Sequence, residues 1–320
     1  MRLAITAPLP VDVPARAAGL EVIQCEGPDG LARALAARPH ALVCLLRDRI
    51  DAAALAAAPE LQVVSNVAVG LDNIDLAAAT ELGICVTHTP DVLTEATAEL
   101  TIALLLAAAR RLGEGERLVR SGAWQGWSLD LLLGVPLAGA TLGIVGLGRI
   151  GAKVAALGRA LGMRLCYAAP RPAEAADALG AAHLPLPELL STSDFVSLHC
   201  PLRADTRDLL DRAALQRLRP TAVLVNTARG ELLDEDALCD QLEAGRLFAA
   251  GLDVFRDEPR VSARVRACPR IVLAPHLGSA TTKARTHMAQ LAIDAAVSTL
   301  RGVRPPTLVN PSAWPPRGHR

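Results

Sequence analysis

A chain of 320 residues, 51% of them hydrophobic, exceeds what one core usually organises and has enough apolar material to fill two. Its 33 basic and 33 acidic residues cancel, so the global field that draws a protein to nucleic acid or to an anionic membrane is missing, and neither is expected as a partner. Seven cysteines, odd in number, widely spaced and without a Cys-x-x-Cys pair, read as reduced core residues rather than a disulfide framework.

The chain opens almost at once on a strand pattern at 3–6, with neither a basic segment leading into a long apolar stretch nor a cleavage signal, and a cytoplasmic location is expected. Strand patterns follow at 21–24, 41–45, 62–66 and 84–86, separated by helical stretches such as the alanine-rich 51–58. This is the alternation of a small α/β domain. The most apolar segment, 100–109, is shorter than the ~20 residues a bilayer span needs. Flanked by Glu95, Glu99, Arg110 and Arg111, it reads as a buried helix over 95–111. Segment 117–135 then sets Trp124, Trp127 and Leu129-Asp130-Leu131-Leu132-Leu133 in a connecting excursion, where exposed apolar side chains suggest a partner.

The run Thr141-Leu142-Gly143-Ile144-Val145-Gly146-Leu147-Gly148-Arg149-Ile150-Gly151 is a buried strand entering a glycine-rich turn and a helix over 152–161. Each glycine has a physical task at a dinucleotide pyrophosphate: Gly146 makes the tight turn, Gly148 admits the phosphates to the backbone, and Gly151 lets the helix pack close to the strand. The helix N-terminus faces the anion, and Arg149 and Ile150, in the turn that leads into it, are expected beside the cofactor. Strand patterns recur at 163–167, 195–198, 222–226, 249–254 and 271–274, making six with the first. Six strands alternating with helices form a Rossmann-type, doubly wound parallel sheet. The expected fold is therefore a two-domain α/β protein, with a Rossmann domain over 97–287 and a smaller, flavodoxin-like domain formed discontinuously from 1–96 and 288–320. The helix over 284–300 has no sheet left to join in the Rossmann domain and should return to the first domain. The proline-rich tail after Gly302 reads as irregular.

Three polar clusters stand at predicted strand ends, where a doubly wound sheet places its ligand-facing groups. They are Asn226-Thr227-Ala228-Arg229-Gly230, Asp253-Val254-Phe255-Arg256-Asp257-Glu258-Pro259 and Pro275-His276-Leu277-Gly278-Ser279-Ala280-Thr281. An Arg there can clamp a carboxylate with two parallel hydrogen bonds. A His exchanges a proton near neutral pH, and a neighbouring carboxylate favours its imidazolium form. Singly, each has a plain structural reading: Arg229 as a turn or surface residue, Glu258 as a surface acid before proline, His276 as a hydrogen-bonded core residue. Together, behind a glycine turn, they describe reduction of a 2-oxo acid. The seven histidines show no two-His helical spacing and no Cys/His set, so no metal is expected.

These residues make the sequence resemble the D-isomer-specific 2-hydroxyacid dehydrogenase family over nearly its whole length. Arg229, Glu258 and His276, spaced 29 and 18 residues apart, fall on the family's catalytic Arg, Glu and His. The resemblance implies that His276 protonates the developing alkoxide, Glu258 supports the imidazolium and Arg229 orients carboxylate and carbonyl. Val69-Gly70-Leu71-Asp72-Asn73-Ile74-Asp75 resembles the substrate loop, with the Val69 and Gly70 amides meeting the carboxylate. Thr97, Thr227, Ala228, Asp253 and Gly278 resemble positions lining the cofactor, and so do Pro201 and Thr206 beyond the strand at 195–198. His199, in Leu198-His199-Cys200-Pro201-Leu202, either borders the nicotinamide or serves loop packing.

Within the family, Leu45-Leu46-Arg47-Asp48-Arg49-Ile50-Asp51, Ser65-Asn66-Val67-Ala68-Val69-Gly70 and Gly278-Ser279-Ala280-Thr281 look most like the glyoxylate and hydroxypyruvate reductase branch. Leu46 and Met288 would bound a short side-chain pocket. The alternatives are a 2-ketogluconate or other D-2-hydroxyacid dehydrogenase and, in another class, a non-catalytic dinucleotide-sensing interaction protein of the same fold. An acid for the ribose hydroxyl of NAD is expected about 20 residues after the glycine turn, yet Ala169 stands 18 residues after Gly151 and Arg171 follows it. That favours NADP(H), with NAD(H) as the alternative. The 117–135 segment resembles the family's dimer-forming arm, so a homodimer is expected.

Overall fold

The computed structural model describes residues 1–318; His319 lies outside the described residues. The chain divides into two compact units, Met1–Leu93 with Ala280–Arg320, and Thr94–Ser279. The divisions lie at 93/94 and 279/280 rather than at 96/97 and 287/288, because the helices Thr94–Ala109 and Thr282–Leu300 each belong whole to one unit.

The first unit holds five strands: β1 (Arg2–Ile5), β2 (Glu21–Gln24), β3 (Ala41–Cys44), β4 (Val63–Asn66) and β5 (Cys85–Thr87). They pair in parallel in the order β2-β1-β3-β4-β5, which is the flavodoxin-like order. β3, β4 and β5 are buried along their whole length, as strands covered on both faces must be. One face packs Leu3, Ile5, Val43 and Val63 against Ala292, Ile293, Ala296 and Leu300 of the helix Thr282–Leu300. Small alanines on that helix let it approach closely enough for the Ser65 hydroxyl to donate to the Ala292 carbonyl at 2.7 Å. The tail after Gly302 is more tied down than its prolines suggest. Asn310 accepts from the Val86 amide and donates to the Ile84 carbonyl, Thr87 bridges to Leu308, and Arg317 donates to the Ala58 and Leu61 carbonyls.

The second unit holds β6 (Thr141–Val145), β7 (Arg164–Ala168), β8 (Ala182–His183), β9 (Phe195–Leu198), β10 (Val223–Asn226), β11 (Ala249–Leu252) and β12 (Ile271–Leu273). All pair in parallel, in the order β12-β11-β10-β9-β6-β7-β8. There are seven strands, not six: β8 is only two residues long and both are exposed, which leaves no apolar pattern to read. The strand order reverses between β6 and β9, the switch point at which such sheets bind ligands beyond their carboxyl ends. The helix Thr94–Ala109 is buried through Leu104, Leu105, Ala108 and Ala109 in the core that also holds Leu142, Ile144 and Val225. Full burial of a side chain of Leu or Val size contributes about 1.5–3 kcal/mol. A second helix, Leu112–Arg120, follows where a plain connection was expected, and none of its residues is buried.

Candidate active site

Several helices begin with an aspartate that accepts an amide proton: Asp51 from Ala54, Asp75 from Ala78 and Asp234 from Ala237. The helix Arg149–Ala160 starts instead at Gly148, whose lack of a side chain leaves the first-turn amides without a side-chain cap. The turn is built by sterics. Gly146 has φ +95°, and a Cβ there would stand 2.7 Å from the Cys200 amide nitrogen and 2.9 Å from the His199 carbonyl carbon, so the loops after β6 and β9 touch at the switch point. At Gly151 a Cβ would collide with the Gly146 carbonyl oxygen, whereas at Gly148 it would meet nothing within 4 Å. A close-packed turn with one open backbone face and uncapped amides fits a pyrophosphate. Arg149 is exposed and Ile150 half-buried beside it.

β7 ends at Ala168, and the residues that follow contain no carboxylate until Glu174. That loop is shaped by the Tyr167 hydroxyl, which accepts from the Ala173 amide at 3.1 Å, and by His183, which stacks on Tyr167 and bonds the Ala169 carbonyl at 2.9 Å. Arg171 is exposed and has no ion pair among the described residues. Beyond β9, the His199 Nε2 meets the Ser197 hydroxyl at 2.8 Å, and burial pushes its pKa down to about 3, so the ring is neutral at physiological pH. Thr206 is buried and closes its own loop, accepting from the Arg203 amide and donating to the Pro201 carbonyl.

The polar clusters occupy the carboxyl ends of β10, β11 and β12. Asn226 folds the first: its side-chain oxygen accepts from the Ala228 amide and its nitrogen donates to the Arg229 carbonyl at 2.7 Å. Arg229 donates from Nη1 to the Ala228 carbonyl. Gly230 is required sterically, since a Cβ there would overlap the backbone of Phe255. In the second cluster, Glu258 Oε1 accepts from the Phe255 amide at 3.0 Å, which turns Oε2 onto His276 Nδ1 at 2.7 Å. Burial would raise the Glu258 carboxyl, but the hydrogen bond and charge of His276, the Phe255 amide and the nearby Arg229 bring it below the usual carboxylate range. Glu258 is therefore ionised at neutral pH and can only accept, so His276 Nδ1 donates and Nε2 is left to exchange a proton.

His276 itself has φ +52°, a left-handed conformation that disfavours a side-chain-bearing residue by roughly 1–2 kcal/mol. Asp253, wholly buried, offsets this by accepting three amides: His276 on its carbonyl at 2.8 Å, and Leu277 and Gly278 on its carboxylate at 2.6 and 2.8 Å. Burial raises the Asp253 carboxyl, with these amides and His276 opposing. The Thr97 hydroxyl donates to the Gly278 carbonyl at 3.0 Å, and Thr101 links that helix to the Thr227 hydroxyl at 2.8 Å. Asp253 and Thr97 thus frame the His276 loop, and Thr227 braces the helix that carries Thr97. Sequence reasoning placed these three at the cofactor and missed this framing; an Asp at one strand end with a glycine two residues after the His was the available signal.

In the other unit, Leu46 is half-buried after β3 and Val69 and Gly70 are half-buried after β4, while Met288 is buried. None of the seven cysteines is in a disulfide, and five of them are buried. Among the described residues no His, Cys, Asp and Glu cluster is suited to a metal, and no helix is long and apolar enough to cross a membrane.

Residues 102–278 match the model of the D-isomer specific 2-hydroxyacid dehydrogenase NAD binding domain. The chain is 49% identical over 276 residues to the glyoxylate reductase of Aeropyrum pernix, covering 84% of this chain and 82% of that protein. It is 46% identical over 275 residues to the glyoxylate reductase of Thermococcus onnurineus, with the same coverage. Among solved structures it is similar to a protein from Thermus thermophilus, with a TM-score of 0.89, 44% identity and coverage of 97% and 100% of the two chains. A glyoxylate reductase from Paecilomyes thermophila has a TM-score of 0.86, 30% identity and coverage of 97% and 98%.

Proposed function

The chain belongs to the D-isomer specific 2-hydroxyacid dehydrogenase family and is an NAD(P)-dependent oxidoreductase acting on 2-oxo acids, and on that premise we propose that it reduces glyoxylate and hydroxypyruvate to glycolate and D-glycerate, using NADPH in preference to NADH. The observation that carries the catalytic assignment is the 2.7 Å contact between Glu258 and His276 at the carboxyl edge of the sheet.

The reduced dinucleotide supplies the hydride. His276 donates its Nε2 proton to the oxygen that becomes the hydroxyl, Glu258 holds the ring by Nδ1 and balances its charge, and Arg229 clamps the substrate carboxylate. Gly146, Gly148, Gly151, Arg149 and Ile150 make the pyrophosphate turn. Thr97, His199, Pro201, Thr206, Thr227, Ala228, Asp253 and Gly278 shape the nicotinamide side. Val69 and Gly70 contribute backbone amides to the substrate carboxylate, and Leu46 limits its side chain. The NADPH preference is supported by Arg171, exposed in a loop whose first acid is Glu174.

Trp127 and Leu129, 79% and 82% exposed, support the 117–135 arm as a homodimer surface. Seven cysteines outside any disulfide support a reducing compartment, the cytoplasm.

The test is initial-rate oxidation of NADPH and of NADH with glyoxylate, hydroxypyruvate, pyruvate and 2-ketogluconate, for the unaltered chain and for His276→Ala. NADPH-linked turnover of the first two acids, lost in the variant, is the expected result. Preference for 2-ketogluconate would overturn the substrate, preference for NADH the cofactor, and dinucleotide binding without turnover the catalytic assignment.

A further inference from the structure

Three consecutive carbonyls after β4 are each tied by a donor. The Ala68 carbonyl accepts from the Thr89 amide at 2.9 Å, the Val69 carbonyl from His88 Nδ1 at 3.0 Å, and the Gly70 carbonyl from the Asn66 side-chain nitrogen at 2.9 Å. A trans peptide is planar, with its C=O and the next N–H pointing in opposite directions. Pinning the three carbonyls therefore turns the amides of Val69, Gly70 and Leu71 away from β5 and Asn66. None of these amides has an acceptor among the described residues, although all three residues are half-buried. Consecutive amides freed in this way form a concavity suited to an anion.

The pinning is itself braced. Asn66 also donates to the Asn73 oxygen at 2.9 Å, and Asn73 donates to the Leu45 and Asp48 carbonyls at 3.2 and 3.1 Å. Asp48 is fixed in turn by the Thr6 hydroxyl and by the Leu45 amide at 2.8 Å. Asn66 is wholly buried and answers to this network. His88 differs: it is half-buried, and its ring bonds the Val69 carbonyl from outside that network.

We infer that His88 is a positioning residue for the 2-oxo acid, holding the Val69 carbonyl so that the Gly70 amide is presented to the substrate carboxylate, with Thr89 and Asn66 doing the same for the Val69 and Leu71 amides. This rests on the proposed function for the identity of the anion, while the cradle itself stands on backbone geometry. A carbonyl oxygen only accepts, so His88 Nδ1 carries the proton. Any side chain at 88 that places an N–H at the same point preserves the cradle.

The experiment uses the full chain. Amide resonances are followed on titration with oxamate, a non-reducible 2-oxo acid analogue, alongside steady-state kinetics, for the unaltered protein, His88→Ala and His88→Asn. Oxamate is expected to move the Val69, Gly70 and Leu71 amides. His88→Ala should diminish those shifts and raise the KM for glyoxylate about tenfold, as loss of one hydrogen bond to a charged group does, with the dinucleotide KM unchanged. His88→Asn, which keeps a donor, should recover to within about threefold. If His88→Ala does not fold, His88→Leu, closer in volume, reads the same loss. Unchanged shifts and KM in the donor-less variant, or an Asn variant no better than Ala, overturn the inference. Turnover by the unaltered protein with unmoved amides overturns it too. Moved amides without turnover of any 2-oxo acid leave it standing and sink the proposed function instead.

Discussion

Gly146 and Gly148 are two residues apart, yet the structure separates what each does. At Gly146 the backbone has φ +95°, and a Cβ would lie 2.7 Å from the Cys200 nitrogen and 2.9 Å from its Cα. Gly146→Ala therefore combines a disfavoured backbone, roughly 1–2 kcal/mol, with overpacking against another main chain, about 1–3 kcal/mol. The sum, about 2–5 kcal/mol, corresponds to a melting-temperature loss of about 4–20 °C for a unit of this size. At Gly148 the backbone is extended and a Cβ would meet nothing within 4 Å. Only the weaker N-cap behaviour of alanine is expected there, up to ~1 kcal/mol or about 4 °C. The same Cβ would occupy the open face of the turn. Loss of one hydrogen bond to a charged phosphate, about 1.5–3 kcal/mol, weakens binding about 10- to 150-fold. The assay pairs thermal unfolding with dinucleotide titration followed by fluorescence. Gly148→Ala binding the dinucleotide like the unaltered chain, or destabilising it more than Gly146→Ala does, would refute the division of labour.

Replacing His276 with Ala should lower kcat for reduction by about 10²–10⁴-fold, and an undiminished kcat would remove it from proton transfer. Glu258→Gln should lower kcat for reduction and leave the dinucleotide KM unchanged, because the His276 ring loses the carboxylate that holds Nδ1, and an undiminished kcat would contradict the pair's role. Because the Glu258 carboxyl is held below its usual range, its stabilising contribution is complete above the unfolded value of about 4.3 and fades as pH falls through the lower folded value. The Gln variant should therefore lose stability relative to the parent at neutral pH and converge with it in acid, as read by urea unfolding across pH. Arg171→Ala should raise the KM for NADPH about tenfold and spare NADH, the size expected for one charged hydrogen bond; equal effects on both would place Arg171 away from the ribose phosphate. Trp127→Arg should convert a dimer into monomers in sedimentation velocity, and a monomeric parent would dispose of the arm as an interface.

Much of the fold was legible because its signals are local. β9 at Phe195–Leu198 and β2 at Glu21–Gln24 lie where hydrophobic pattern puts them, and the glycine turn announces itself by spacing. β8 escaped because a two-residue exposed strand is defined only by its neighbour β7. The helix Leu112–Arg120 escaped because two glycines lower its helix propensity, and its apolar residues Leu112 and Val119 stay exposed instead of joining a core. In the site, Glu258 and His276 were named from residue type and motif, but their 2.7 Å contact depends on the Phe255 amide bending Glu258 back. Asp253 holding the His276 loop and His88 holding the Val69 carbonyl are pairings across the fold that no local pattern encodes.

The helix Thr282–Leu300 packs on a sheet whose strands end by Thr87. On a ribosome adding about 5–20 residues per second, those strands emerge on the order of tens of seconds before the helix that covers them. In that interval Leu3, Ile5, Val43 and Val63 lack their alanine-lined partner, while the intervening unit has all seven of its own strands in hand. The later-made unit is thus equipped to finish first, while the earlier one keeps that apolar face open until the helix Thr282–Leu300 arrives.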